Sequence, residues 1–233
     1  MITRTYLLLA GLIMVTQLTG LRADQVRYLQ GGRPDPIALL APPPLPGSEE
    51  QMTDLAAVVR VEQHTSAADR AVAYSEKKFD VFVFAAAVGE DFKPGRYPQL
   101  EAFFRRLEKT TDEITNRAKD YWQRDRPYVV EPALAKGELE KSFSYPSGHS
   151  TRGMVFALAL ADLFPSQRDA ILAEGRTLGW HRVQIARHYP TDVYAGRILA
   201  QAIFRELQGS SAFQADFEQV RHEVHAAELM PVR

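Results

Sequence analysis

The chain contains no cysteine, which excludes disulfides, thiolate nucleophiles and cysteine-ligated zinc or iron–sulfur centres. It also has no block of like charge. Its 28 lysine and arginine residues face 29 acidic ones, for a formal charge of -1, so any bound anion must be held by local cations, and nothing marks an electrostatic footprint for nucleic acid. Long apolar runs are missing as well: Tyr6 to Val15 is uninterrupted but is about half of the ~20 residues a spanning helix needs. The best later candidate, Gly153 to Leu163, is short and is flanked or interrupted by His149, Arg152 and Asp162. No membrane span is therefore expected in the mature chain. Strand signals are nearly absent, with Tyr128-Val129-Val130 the one compact β-like run and no hairpin signal beside alternating residues. No repeat recurs at a solenoid period.

What is present fits one ordinary globular domain: 233 residues, 45% hydrophobic and 24% charged. The positive Met1 to Arg4, the apolar Tyr6 to Val15 and the small residues Gly20 and Ala23 together read as a secretory signal peptide over 1–23, which predicts a periplasmic protein. Residues 24–47 form a Pro-rich arm, because Arg33-Pro34-Asp35-Pro36 and Ala41-Pro42-Pro43-Pro44-Leu45-Pro46-Gly47 cannot lie inside a helix. Residues 48–233 form the helical body. Ser48 is placed as the N-cap of its first helix, and apolar stripes at helical spacing recur at Ala67 to Ala87, Pro98 to Arg117, Gly148 to Phe164, Gln167 to Ile185 and Pro190 to Leu207. The expected fold is all-α, a single bundle of about six to eight helices.

Three stretches carry chemistry. Lys119 and Arg126 are seven residues apart, so both cations leave one face if the helix runs on, and Pro127 ends it there. Ser147 stands at the N-cap position of the helix that begins near Gly148, where free amides and the positive dipole end offer a seat for an anion, with His149 beside it. Pro190 opens a further helix with Asp192 in its first turn, close enough to reach back to His188, fix its tautomer and leave its other nitrogen free. Taken alone, each stretch has a structural explanation: a solvated face, a capped helix, a satisfied histidine.

In that order, Lys119-x6-Arg126-Pro127, Pro146-Ser147-Gly148-His149 and Arg182-x5-His188-x3-Asp192 resemble the signature of the type 2 phosphatidic acid phosphatase superfamily, which includes bacterial class A nonspecific acid phosphatases and vanadium haloperoxidases. The Pro-rich entry to Gly47-Ser48, Phe79-Asp80-Val81-Phe82 and Gly179-Trp180-His181-Arg182 resemble the class A enzymes in particular, so the likeness spans about Leu40 to Leu207. His181 stands where the superfamily usually has serine or asparagine, and Ala186 where glycine is common. The resemblance implies an acid phosphatase of broad specificity toward small phosphate monoesters, with no cofactor or metal. His188 would be the nucleophile, Asp192 its orienting partner and His149 the proton donor to the leaving oxygen. Lys119, Arg126, Arg182, the Ser147 hydroxyl and the Gly148 amide would hold the phosphate, and His181 would bond a phosphate oxygen or add local positive charge.

Two other functions are compatible with the same residues: a vanadium-dependent haloperoxidase, and an exported phosphate-binding protein without catalysis. A homo-oligomer is compatible too. Among the remaining residues, Arg124 and Arg187 are expected to face solvent or pair with Asp120, Asp125 or a helix end, and Arg152 to pair with a carboxylate. His222 and His225 are assigned to a polar tail and His64 to the surface; Phe103, Phe104, Trp122 and Trp180 are assigned to the core.

Overall fold

The computed structural model describes residues 28–29, 31 and 33–229, so the leader expected at 1–23 lies outside the described residues. Among those described there is no strand. The helices are α1 (Pro36–Leu39), α2 (Glu49–His64), α3 (Ala67–Ser75), α4 (Ala85–Val88), α5 (Pro98–Trp122), α6 (Pro127–Val130), α7 (Gly148–Leu163), α8 (Arg168–Gln184), α9 (Pro190–Gln208) and α10 (Ser211–Leu229). Seven of them run nine residues or longer, within the expected range.

Helix ends fall where the side chains can cap them. Ser48, Ser66 and Ser147 each accept a bond from the amide three residues on, and Pro98 and Pro190 occupy first-turn positions where a missing N–H costs nothing. Along α5, Leu100, Phe103, Phe104, Leu107 and Ile114 form the buried stripe, and the Thr111 and Thr115 hydroxyls return to the carbonyls four residues back.

Helix α7 is the centre of the bundle. It packs against α5, α8 and α9, and eleven of its residues are buried, from Ser150 to Leu163. Glycines allow that closeness. A Cβ on Gly175 would meet Ala157 Cβ at 2.6 Å; one on Gly179 would meet Ser150 Oγ at 2.9 Å; one on Gly196 would lie 2.8 Å from the Ser147 carbonyl oxygen. The N-terminal turn of α7 is thus gripped between α8 and α9.

The structure departs from the expectation in four places. The stripe over Ala67 to Ala87 is helical only to Ser75 and resumes as a 3₁₀ turn and the short α4. Tyr128-Val129-Val130 belongs to the helical turn α6, because Pro127 fixes the φ that starts one. The arm includes the turn α1, and Leu40 onward lies extended, held by the Tyr145 hydroxyl donating to the Ala41 carbonyl at 2.6 Å. The C-terminal segment is a nineteen-residue helix and no polar tail: Phe213, Phe217, Val220 and Val224 give it a buried stripe, while His222 and His225 are exposed on it. Glu223 of α10 caps α5, accepting from the amides of Gln99 and Leu100.

Replacing Gly196 with alanine drives a Cβ into the Ser147 carbonyl, which is backbone and cannot step aside. The expected cost is about 1–3 kcal/mol of stability, read as a lower urea midpoint, as for other overpacked cores.

Candidate active site

The turn after α5 decides where the first cations go. The helix stops at Trp122 with Gln123 in the left-handed region (φ 48) and its amide bonded to the Lys119 carbonyl, so Arg126 does not continue the helical face of Lys119. The two side chains meet because the chain turns back, which corrects the same-face expectation. Lys119 is buried, and its Nζ donates to the Phe143 carbonyl at 2.5 Å and the Ser144 carbonyl at 3.2 Å. Burial, with Arg126 close by, pushes its pKa down to about 7.

The C-terminal end of α8 places the candidate nucleophile. Ala186 adopts a left-handed conformation (φ 54), the amides of Arg187 and His188 fold back onto the Arg182 carbonyl, and Pro190 then starts α9. This brings Asp192 under His188. The Asp192 carboxylate, with no solvent exposure, accepts from His188 Nδ1 at 3.2 Å, Ser144 Oγ at 2.5 Å, the Tyr189 amide at 3.0 Å and Arg124 Nη1 at 2.6 Å. On the other side of the ring, Arg126 Nη1 lies 3.3 Å from His188 Nε2. A guanidinium only donates, so Nε2 is the accepting nitrogen and Nδ1 carries the hydrogen. Burial first, then Arg126 and Lys119, hold the His188 pKa well below the ordinary imidazole value. The ring is neutral, with its lone pair turned toward the arginines.

At the N-terminus of α7, the Ser147 hydroxyl caps the Ser150 amide at 3.3 Å, the Ser147 amide donates to the Asp192 carbonyl at 3.0 Å, and Lys119 Cε passes 4.0 Å from where a Cβ on Gly148 would stand. The Gly148 amide belongs to the first turn, which has no intrahelical acceptor. His149 lies against Phe79, ring centroids 5.4 Å apart, and its Nε2 donates to the Glu76 carbonyl at 3.0 Å. Burial and then Arg182 push its pKa down to about 3. His181 faces the same residue from the other side, with Nδ1 2.6 Å from Glu76 Oε2. Its Nδ1 is therefore directed to a carboxylate.

Arg182 is buried, and among the described residues its Nε and Nη1 have no hydrogen-bond partner. Its Nη2 is bonded to Glu140 Oε1, while Glu140 Oε2 lies 2.7 Å from Arg126 Nη2. Thus Lys119, Arg126, Ser147, Gly148, His149, Arg182, His188 and Asp192 converge from the end of α5, the 123–126 turn that follows it, and the facing ends of α7, α8 and α9.

Several participants have no motif to announce them. Arg124, expected at the surface, is buried: it bridges Asp192 and Asp54, bonds Gln51 at 2.6 Å, and stacks on Tyr189 with 3.9 Å to the ring centroid. Arg187, also expected at the surface, is buried and donates to the carbonyls of Lys136 and Glu138. The burial of each is made possible by acceptors distant in sequence. Arg152 does pair with carboxylates, those of Glu108 and Asp112. Neither Glu140 nor Glu76 carries a sequence signal beyond an ordinary loop or helix-end carboxylate.

The sequence matches the PAP2 superfamily over residues 110–208. It is 33% identical over 202 residues to an acid phosphatase of Zymomonas mobilis, covering 83% of this chain and 76% of that protein. It is 31% identical over 199 residues to a non-specific acid phosphatase of Providencia stuartii, covering 81% and 80% respectively. In fold it resembles the crystal structure of a PAP2-type phosphatidylglycerolphosphate phosphatase from Bacillus subtilis, with a TM-score of 0.50 at 20% identity, over 70% of this chain and 87% of that one. Among the described residues, no helix is long and apolar enough to cross a membrane.

Arg124→Met leaves Asp54 and Asp192 buried without their shared cation. Breaking a buried pair from one side costs about 3–5 kcal/mol, so urea unfolding should show a loss of that size. Arg124→Lys should recover only part of it, since one ammonium cannot copy the fork between two carboxylates.

Proposed function

The chain belongs to the PAP2 superfamily and is an acid phosphatase, and from this we propose that it hydrolyses phosphate monoesters through a phosphohistidine at His188, with no metal ion taking part. The observation that carries this reading is the polarity of the His188 ring: Nδ1 on Asp192, Nε2 facing Arg126.

Transfer of a phosphoryl group needs an in-line nucleophile, neutralisation of charge on the equatorial oxygens and a proton for the leaving group. His188 Nε2 supplies the electron pair that forms the P–N bond as the ester P–O bond breaks. Asp192 stabilises the imidazolium that results. Lys119, Arg126 and Arg182 neutralise the oxygens, joined by the Gly148 amide and the Ser147 hydroxyl. These cations take the part that a metal ion plays in other phosphoryl-transfer sites.

His149 gives the leaving oxygen its proton. With Nε2 donating to the Glu76 carbonyl, the nitrogen left for this is Nδ1. The resting ring is neutral there, so the proton arrives with the substrate: a phosphate monoester has a second pKa near 6, and on the acid side of that it binds as the protonated monoanion. In the second half, His149 takes a proton from water, water attacks phosphorus and the P–N bond breaks; His149 passes that proton to the departing phosphate, which leaves as the monoanion and restores the neutral ring. The basic start, apolar stretch and small residues at 1–23 support export to the periplasm.

Hydrolysis of p-nitrophenyl phosphate should persist in EDTA and vanish in His188→Ala, and acid-quenched wild-type enzyme should retain acid-labile phosphate on that histidine. Survival of turnover in the mutant would refute the assignment. Arg126→Ala should lose about 10²–10³-fold in kcat, the scale of one missing oxyanion donor. Lys119 is charged below a pKa of about 7 and neutral above it, so kcat/KM should fall as pH rises through that value. An alkaline optimum in the measured profile would contradict it.

A further inference from the structure

We propose that Glu140 sets the enzyme's affinity for phosphate by occupying the phosphate cradle itself, as an internal carboxylate that the substrate must displace. The inference rests on the reading that Arg126 and Arg182 hold the phosphate.

The geometry is that of a small oxyanion bound by two guanidiniums. Each carboxylate oxygen takes a different arginine, Oε2 with Arg126 Nη2 at 2.7 Å and Oε1 with Arg182 Nη2. Both arginine side chains are almost wholly buried, at 3% and 1% exposure, whereas the Glu140 side chain is 19% exposed. The cations are fixed and the anion has a way out. Burial raises the Glu140 pKa, but Arg126 and Arg182 outweigh it and hold the group at about 2, so it stays charged across the working range.

Two features make displacement feasible. The backbone of Glu140 is pinned independently of its carboxylate, its amide donating to the Tyr128 hydroxyl at 3.2 Å and its carbonyl accepting from that hydroxyl at 2.9 Å. Arg187 ties the same loop through the carbonyls of Lys136 and Glu138. The side chain can therefore rotate out while the loop stays in place. In addition, the carboxylate leaves Arg182 Nε and Nη1 buried and unpaired. A phosphoryl group has a third oxygen, so it can satisfy donors that Glu140 cannot reach. Substrate and product then bind with an apparent affinity reduced by the fraction of time the cradle is free.

The test is calorimetric titration of inorganic phosphate into the wild-type chain, E140Q and Glu140→Ser, together with KM for p-nitrophenyl phosphate. Glutamine keeps the shape without the charge, and serine removes both, so either variant carries the test if the other does not fold. If the cradle is free about one-tenth of the time, phosphate should bind about tenfold tighter in the variants, with KM falling in parallel. Binding unchanged within about twofold would overturn the proposal, and weaker binding would also overturn it, by assigning Glu140 to holding the arginines in place. Absence of phosphate binding in all three proteins would instead refute the cradle reading beneath it.

Discussion

A carboxylate sealed from solvent, with four donors converging on its two oxygens, fixes the direction in which His188 points. Asp192 cannot rotate without stranding Arg124, Ser144 or the Tyr189 amide, and each lost bond to a buried charge costs about 1.5–3 kcal/mol. The ring inherits that rigidity. Its Nδ1 is committed to Asp192, so its Nε2 faces the arginines before any ligand arrives. Electrostatic preorganisation consists of this kind of fixed orientation, with the reorganisation completed during folding.

The bundle is arranged to bring that carboxylate to one place. Asp192 sits in the first turn of α9, Ser147 in the cap of α7, and the Ser147 amide bonded to the Asp192 carbonyl ties the two ends together. The approach is close because Gly196 and Gly179 have no Cβ to keep α7 away. Packing in the middle of the fold and geometry at the site are therefore one constraint. A methyl group added at a helix crossing displaces the same turn that presents the Gly148 amide.

The fold class was legible because absences are informative over a whole chain. Without alternating runs or hairpin turns, the apolar residues could only be paired at helical spacing, and caps such as Ser48, Ser147 and Pro190 marked where helices start. The stripe of Phe213, Phe217, Val220 and Val224 was equally readable, yet the charged residues between them hid it as a polar tail. The motif residues could be named because their spacing is specific. Arg124 and Arg187 were misplaced for a different reason: an arginine is expected outside unless acceptors meet it inside, and those acceptors, Gln51 and Asp54 for one and the Lys136 and Glu138 carbonyls for the other, are separated by about 50 to 70 positions. Burial of a charge is a property of the assembled fold, so local sequence does not carry it.

Charge balance explains why the site suits an anion rather than a neutral group. Lys119, Arg126 and Arg182 are buried within reach of one another, and burial, reinforced by these neighbouring cations, pulls Lys119 down toward neutrality and keeps His188 and His149 uncharged. Asp192 offsets part of that field from behind His188, and Arg124 takes up much of its charge in turn. The remaining excess is positive and is met by Glu140, whose carboxylate bridges Arg126 and Arg182. A single carboxylate leaves two Arg182 donors idle. On the proposed mechanism an arriving phosphoryl group would meet more of them and, by placing negative charge beside a ring that burial and Arg182 keep neutral, would make protonation of His149 easier. On the proposed mechanism, binding the substrate and arming His149 as the proton donor would thus be driven by the same electrostatic imbalance.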